Sequence, residues 1–189
     1  MEAINLLKKY GDKGYIGEEV TQLEHAFQCA MLAEEHCDKI DIPIKNEFIL
    51  GCLFHDIGHL LCYDNPELER MGDYGTMDHE KVGSDYLRSL GFSETVCLLA
   101  GNHINTKRYL ISVNPGYYNK LSDASKKTYE YQGGKLTDTE IDNFRNNELF
   151  QYHLKLREFD ERAKSTESTL LEKIKKMDSD NYYSRYIIF

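Results

Sequence analysis

The segment Gly51-Cys-Leu-Phe-His-Asp-Ile-Gly-His-Leu-Leu61 constrains this chain more than any other. It is apolar enough to belong in the interior, yet it carries His55, Asp56 and His59. A buried carboxylate without partners costs several kcal/mol, on the order of the usual penalty for an unpaired buried group. The fold must therefore supply those partners. A single core histidine is ordinarily satisfied by a carbonyl oxygen, but a His-Asp pair followed by a second His points to a divalent cation that satisfies carboxylate and imidazoles together. His25, His79, His103 and Asp160 lengthen the set to a number of hard ligands that suits two metal ions.

Local patterns predict how these residues are carried. Thr21-Gln-Leu-Glu24 reads as a capping box, followed by Leu23, Ala26, Phe27 and Ala30 at helical spacing, so His25 falls in a first helical turn. Pro43 opens the next helical stretch, whose apolar residues run nearly all round it and mark it as central. That helix is expected to carry His55 and His59 on one face, with Asp56 about 100° round from His55. A loop follows from Tyr63 to Thr76. Asp78 is a candidate cap for a helix closed by Gly91, and Ser93 for the next, which puts His79 near a helix start and His103 near a helix end. Leu121-Ser-Asp-Ala-Ser125 reads as a turn into a short helix, Glu140 to Phe159 as helical, and Asp160 is expected beside the central helix. Gly11, Gly14 and Gly17 punctuate the segment that carries Tyr15 and Glu18 and make it a candidate flap. From Ser165 a charged helix leads into Asn181-Tyr-Tyr-Ser-Arg-Tyr-Ile-Ile-Phe189, a tail that can pack on the domain or on a partner.

With 189 residues, 3 Pro and no linker-like stretch, the chain is expected to form a single all-α domain. A net charge of -9 argues against general nucleic-acid binding, which needs clustered Lys and Arg. No apolar run approaches the ~18 residues that span a bilayer, and Met1-Glu-Ala-Ile-Asn5 has no secretory pattern. The odd set Cys29, Cys37, Cys52, Cys62 and Cys97 reads as reduced thiols. These features lead to an expectation of a cytoplasmic protein with no membrane partner.

His25, His55-Asp56 and Asp160 resemble the ligand pattern of the HD-domain superfamily, an all-α metal-binding fold. The likeness extends to Tyr15-Ile-Gly-Glu18, Gln22-Leu-Glu-His25, His55-Asp-Ile-Gly-His59, His79-Glu-Lys-Val-Gly83, His103 with Lys107-Arg-Tyr-Leu110, Leu121-Ser-Asp-Ala-Ser125, Tyr131-Gln-Gly-Gly134 and Arg157-Glu-Phe-Asp160. Together these look like the HD-domain mixed-valence diiron oxygenases that cleave 2-amino-1-hydroxyethylphosphonate to glycine and phosphate. The resemblance covers about residues 15 to 165 and leaves 166–189 as a C-terminal extension. It implies an Fe(II)/Fe(III) pair, O2 as co-substrate and a small anionic organophosphonate as substrate. One iron would be held by His25, His55, Asp56 and Asp160, and the other by Asp56, His79 and His103, with Asp56 as the bridge. Tyr15 would occupy the open iron position until substrate arrives, Glu18 would meet the substrate's ammonium group, His59 would lie near its oxygens, and Lys107, Ser125 and Arg157 would hold the phosphonate. Asn65-Pro-Glu-Leu-Glu69 and the C-terminal tail depart from the pattern, and Phe159 stands where the family has an indole ring.

The same dinuclear ligand set also serves HD-type phosphohydrolases, in which a metal-bound water attacks phosphorus. A helical sensor without catalysis is a third reading, and the full ligand set weighs against it. Tyr15 and Glu18 favour the oxygenase, because a simple hydrolase has no evident need of them.

Overall fold

The computed structural model describes residues 2–187, and among these it contains thirteen helices, two isolated β-bridges and no sheet. Helix α1 (Glu2–Tyr10) buries Ala3, Ile4, Leu6 and Leu7 along one face. Helix α2 (Gln22–Lys39) begins where the capping box predicts: Thr21 Oγ1 accepts from the Glu24 N–H, and the Glu24 carboxylate accepts from the Thr21 N–H. These bonds satisfy donors that a helix start leaves free. Helix α3 (Lys45–Phe54) buries every residue from Phe48 to Phe54, as its all-round apolar character requires.

The central helix does not continue through His59, and this corrects the expectation of one shared face. Helix α3 ends at Phe54, and a separate single turn, α4 (Gly58–Leu61), follows. Between them Ile57, His59 and Leu60 donate to Phe54, Asp56 and Ile57, so the chain tightens into three-residue steps. His55 and His59 consequently point to different neighbours. Gly58 makes the turn possible, since a Cβ there would lie 2.0 Å from the carbonyl oxygen of His79. Only a bare backbone lets helix α5 (His79–Ser89) start this close to Asp56.

Helix α5 starts at the predicted place but without the predicted cap. Asp78 adopts φ 50 and ψ 33, a left-handed conformation, and its side chain caps nothing. Helix α6 (Glu94–Gly101) does begin with a Ser93 cap on the Val96 N–H. His103, expected near a helix end, is the first residue of helix α7 (His103–Val113), separated from α6 by Asn102 alone. Helices α8 (Tyr117–Lys120), α9 (Asp123–Tyr131) and α10 (Asp138–Arg145) form an outer layer. Ser122 caps α9, the short helix that the Leu121–Ser125 turn predicts. The expected helical stretch from Glu140 is broken at 146–149, and α11 (Phe150–Arg162) carries Asp160. Helix α3 packs on α2 and α6, and α11 packs on all three.

Helices α12 (Ser168–Lys175) and α13 (Ser179–Ser184) return the chain to its start. The tyrosine-rich tail packs on the domain: Tyr182 meets Phe27, Tyr183 meets Phe54, and the Tyr186 hydroxyl bonds Glu34. Ile188 and Phe189, the end of that tail, lie outside the described residues. One buried apolar cluster thus takes residues from Ala3 through Tyr186. No described helix is long and apolar enough to cross a membrane. All five cysteines are free and buried.

Candidate metal centre

Asp56 sits in the tightened turn between α3 and α4, and residues from five other places converge on it. His25 comes from the first turn of α2, His55 from the end of α3, His79 and His103 from the first positions of α5 and α7, and Asp160 from α11. Asp56 Oδ2 lies 3.4 Å from His55 Nε2 and 3.6 Å from His25 Nε2. Its other oxygen, Oδ1, lies 3.1 Å from His103 Nε2 and 3.4 Å from His79 Nε2. One carboxylate therefore presents one oxygen to each pair of imidazoles. Asp160 Oδ1 faces the first pair, 3.4 Å from His25 and 3.8 Å from His55. All six residues are buried.

The ring orientations say what these atoms are ready to hold. His25 Nδ1 lies 2.9 Å from the Ala163 carbonyl, His55 Nδ1 2.8 Å from that of Cys52, and His103 Nδ1 2.7 Å from that of Ala100. A carbonyl accepts only, so each Nδ1 carries a proton, and in a neutral ring Nε2 is then a bare lone pair. His25 Nε2 and His55 Nε2 face each other at 3.2 Å. Two lone pairs at that distance repel unless positive charge lies between them. The surroundings call for such charge: burial disfavours the His55 imidazolium, but Asp56, Cys29 and Asp160 raise its pKa well above the usual value. A cation bound to Nε2 atoms and carboxylate oxygens answers the same demand at both pairs. Two groups could hold one, His25–His55–Asp56 and Asp56–His79–His103, and Asp160 Oδ1 stands ready to complete the first. The carboxylates are ionised for that task. Burial alone would raise Asp56, but His55, His103 and His79 hold it well below the usual carboxylate range, and Arg157 with His25 and His55 does the same for Asp160.

A cavity of about 50 Å³ opens on this cluster, lined by Asp56, His79, His103 and Asp160 but by neither His25 nor His55. Tyr15, Glu18, His59, Lys107, Ser125 and Arg157 all line the same space. The Tyr15 ring stacks on His25 at 3.8 Å, and burial followed by Asp56 and Asp160 pushes its hydroxyl well above the ordinary pKa. The Tyr15 segment is a hydrogen-bonded turn, with Tyr15 N–H on Val20 and Glu18 N–H on Tyr15. His59 stacks on His79 at 3.8 Å and accepts the Thr76 N–H at Nδ1, 3.2 Å away, so a neutral ring carries its proton on Nε2. Burial, then His79, keeps it neutral.

Lys107 is 2% exposed, and its Nζ meets only neutral oxygens, Thr128 Oγ1 at 3.0 Å and the Ser125 carbonyl at 3.4 Å. Burial, then Arg157, lowers its pKa to about 7. Arg157 is braced from behind: Nη1 donates to Asp160 Oδ2 at 2.6 Å, and Nε donates to Glu161 at 2.9 Å and to Tyr117 Oη at 3.1 Å.

Two further residues, which no sequence motif singles out, stand beside the site. Lys164 Nζ lies 2.6 Å from Glu18 Oε1, and Glu80 Oε2 lies 3.6 Å from His79 Nδ1 with no hydrogen-bond partner of its own. The signals were position four beyond Asp160 for the first and adjacency to His79 for the second. His36 and His153 lie outside both groups, and His153 packs against Phe144 with neither ring nitrogen hydrogen-bonded.

The model of the HD domain matches residues 23–180. An uncharacterised protein of Acanthamoeba polyphaga mimivirus is 40% identical over 185 residues, 98% of this chain and 78% of its own length. The hydroxymethylphosphonate dioxygenase of Gimesia maris is 39% identical over 161 residues, 84% of this chain and 75% of its own. The 1-hydroxy-2-(trimethylamino)ethylphosphonate dioxygenase (glycine-betaine-forming) of Leisingera caerulea is 32% identical over 159 residues, 84% and 76% of the two lengths. With most of its length matched and its His and Asp residues gathered about one carboxylate, the chain belongs to the HD-domain family.

Proposed function

We propose that this protein is an iron-dependent oxygenase that cleaves the carbon–phosphorus bond of a small 1-hydroxyalkylphosphonate. The carrying observation is the cavity itself, where Lys107 and Arg157 face the open side of a carboxylate shared between two imidazole pairs. The phosphonate dioxygenases that share 39% and 32% identity with the chain add their support. Their names bring two substrates into question here, a one-carbon hydroxyphosphonate and a two-carbon one with a quaternary ammonium substituent, the second within the 2-amino or 2-ammonio class that the sequence resemblance implies.

The overall reaction balances as RCH(OH)PO3²⁻ with O2 giving RCOO⁻, HPO4²⁻ and H⁺. The C–P and C–H bonds of the hydroxyl-bearing carbon supply the four electrons that O2 accepts. His25, His55, Asp56 and Asp160 would hold one iron and Asp56, His79 and His103 the other. Bound there, a mixed-valence iron pair supplies the one-electron chemistry that O2 needs before it reacts with a closed-shell substrate.

The remaining work falls to the protein's own side chains. Lys107 and Arg157 neutralise the phosphonate dianion, with Ser125 beside them. Bracing by Asp160, Glu161 and Tyr117 fixes the Arg157 guanidinium before substrate arrives, so little ordering remains at binding. His59 is oriented to donate from Nε2 to a substrate oxygen. Tyr15, seated over His25, fills the space beside Asp56 in the free protein and yields it to the substrate, which keeps water from the reacting side. The apolar core shared by both chain ends supports reading 1–189 as a single HD domain, and buried free cysteines fit a reducing cytoplasm.

The test is to incubate iron-loaded protein with 1-hydroxyalkylphosphonates and follow O2 consumption and phosphate release together. Equal amounts of both are expected. No O2 uptake, with turnover of a phosphomonoester under argon, would replace this reading with the phosphohydrolase.

A further inference from the structure

Glu18 and Lys164 form an ion pair among the residues that line the cavity. Three carboxylates line that space: Asp56, Asp160 and Glu18. Asp56 is turned to four imidazoles, and Asp160 divides its oxygens between histidines and Arg157. Lys164 holds Glu18 at 2.6 Å, with the two side chains only 20% and 17% exposed. No lining carboxylate is left to receive a cation from the substrate.

Space points the same way. Lys164 Nζ also lies 5.8 Å from the centre of the Tyr15 ring, so it ties the exit of α11 to the Tyr15 turn. Gly17, in the middle of that turn, has φ +77, and a Cβ on it would lie 2.6 Å from Ala124 Cβ at the start of α9. The turn is thus seated directly on the outer layer, and with Tyr15 in place the cavity of about 50 Å³ takes only a few water-sized groups, on the order of 10–15 Å³ for each, while the Gly17 seat limits how far the turn can withdraw when Tyr15 yields its place.

Resting on the oxygenase reading, we propose that Lys164 is a specificity-determining residue. It occupies the position in which a substrate ammonium would meet Glu18, and so selects 1-hydroxyalkylphosphonates with a small, uncharged substituent, of which hydroxymethylphosphonate is the simplest. A substrate with a 2-ammonio group would have to break the Glu18–Lys164 pair and then place two like charges together. Discrimination here comes from a repulsive element in the protein as much as from an attractive one. Glu18 keeps its importance, but as the partner that fixes Lys164.

Binding can be measured without turnover by titration calorimetry under argon, on the full chain purified with its iron. Hydroxymethylphosphonate is expected to bind wild type at least about tenfold more tightly than 1-hydroxy-2-aminoethylphosphonate, on the scale that one like-charge contact sets. Lys164→Met should remove most of that preference, by about tenfold, through a gain in affinity for the amine. Lys164→Gln serves if the first variant folds poorly, with metal content and melting temperature as checks on both. Wild type that binds the amine as tightly as the one-carbon compound would overturn the proposal, as would variants whose preference stays within about twofold of wild type. If O2 uptake occurs but the amine is preferred, only this inference fails. If neither phosphonate binds or is oxidised, the oxygenase reading falls and this inference with it.

Discussion

The two oxygens of Asp56 look into different neighbourhoods. On the Oδ2 side, His25 and His55 are fully enclosed, each with Nδ1 anchored on a backbone carbonyl, and Asp160 closes the group. On the Oδ1 side, His79 and His103 line the cavity, and His79 has no hydrogen-bond partner at Nδ1. Identical donor types therefore make one half suited to holding an ion and one half suited to exposing it. The difference comes from the surroundings: α2, α3 and α11 enclose the first half, whereas the starts of α5 and α7 leave the second facing Lys107 and Arg157. Dinuclear chemistry needs this division, since a saturated ion keeps its place and an unsaturated one has positions for reactants.

The severest perturbation removes what the halves share. Asp56→Ala should lower metal content from about two ions per chain to near zero and reduce phosphonate-dependent O2 uptake by about 10³-fold or more. Elemental analysis of the purified variant checks the first figure, and retention of one ion would mean that the halves bind independently.

A sharper test separates them. His25→Ala and His103→Ala should each leave about one ion per chain, yet only His103→Ala should weaken phosphonate binding, by about tenfold or more, because the proposed oxygenase would take its substrate at the open half. Equal losses in calorimetric titrations of the two variants would mean that the two halves do not differ in access to substrate.

The smallest effect concerns protons. Burial, then Arg157, lowers Lys107 to about 7 in the free protein, so it is mostly neutral at pH 8 to 8.5. A phosphonate dianion beside it favours the ammonium form, and binding at that pH should take up close to one proton. Titrations in two buffers of different ionisation heat measure the uptake, which Lys107→Met should abolish while weakening binding about 10- to 100-fold. Because the folded pKa lies below the unfolded one, Lys107 penalises the fold most below pH 7, and the penalty fades as pH rises toward 10.5. Lys107→Met should accordingly raise the melting temperature of the free protein at pH 6 to 7. Unchanged proton uptake in the variant would move the phosphonate away from Lys107.

Much of this arrangement is legible locally. The capping box at Thr21–Glu24 and the Ser93 and Ser122 caps place three helix starts, because a hydroxyl two or three residues ahead of a free N–H is a short-range bond that needs no tertiary help. Helical periodicity failed at His55–His59, where packing of Gly58 against His79 outweighed it, and at Asp78, whose backbone lies in a conformation that its neighbours impose. Glu80 and Lys164 stand one and four positions from His79 and Asp160, but the groups they meet are set by how helix ends come together, and no local pattern records that.

By itself, then, the sequence determined an all-α chain whose apolar central segment must bury a His-Asp pair, and the residue types that would satisfy it. Composition and helix-scale spacing act over a few residues, which is the range of the bonds they predict. Only the tertiary structure decided which oxygen of Asp56 each imidazole faces, which half of the cluster opens on the cavity, and that Glu18 already has a cation beside it. Those outcomes depend on distances between residues as far apart as Glu18 and Lys164, and side-chain packing across the core sets them.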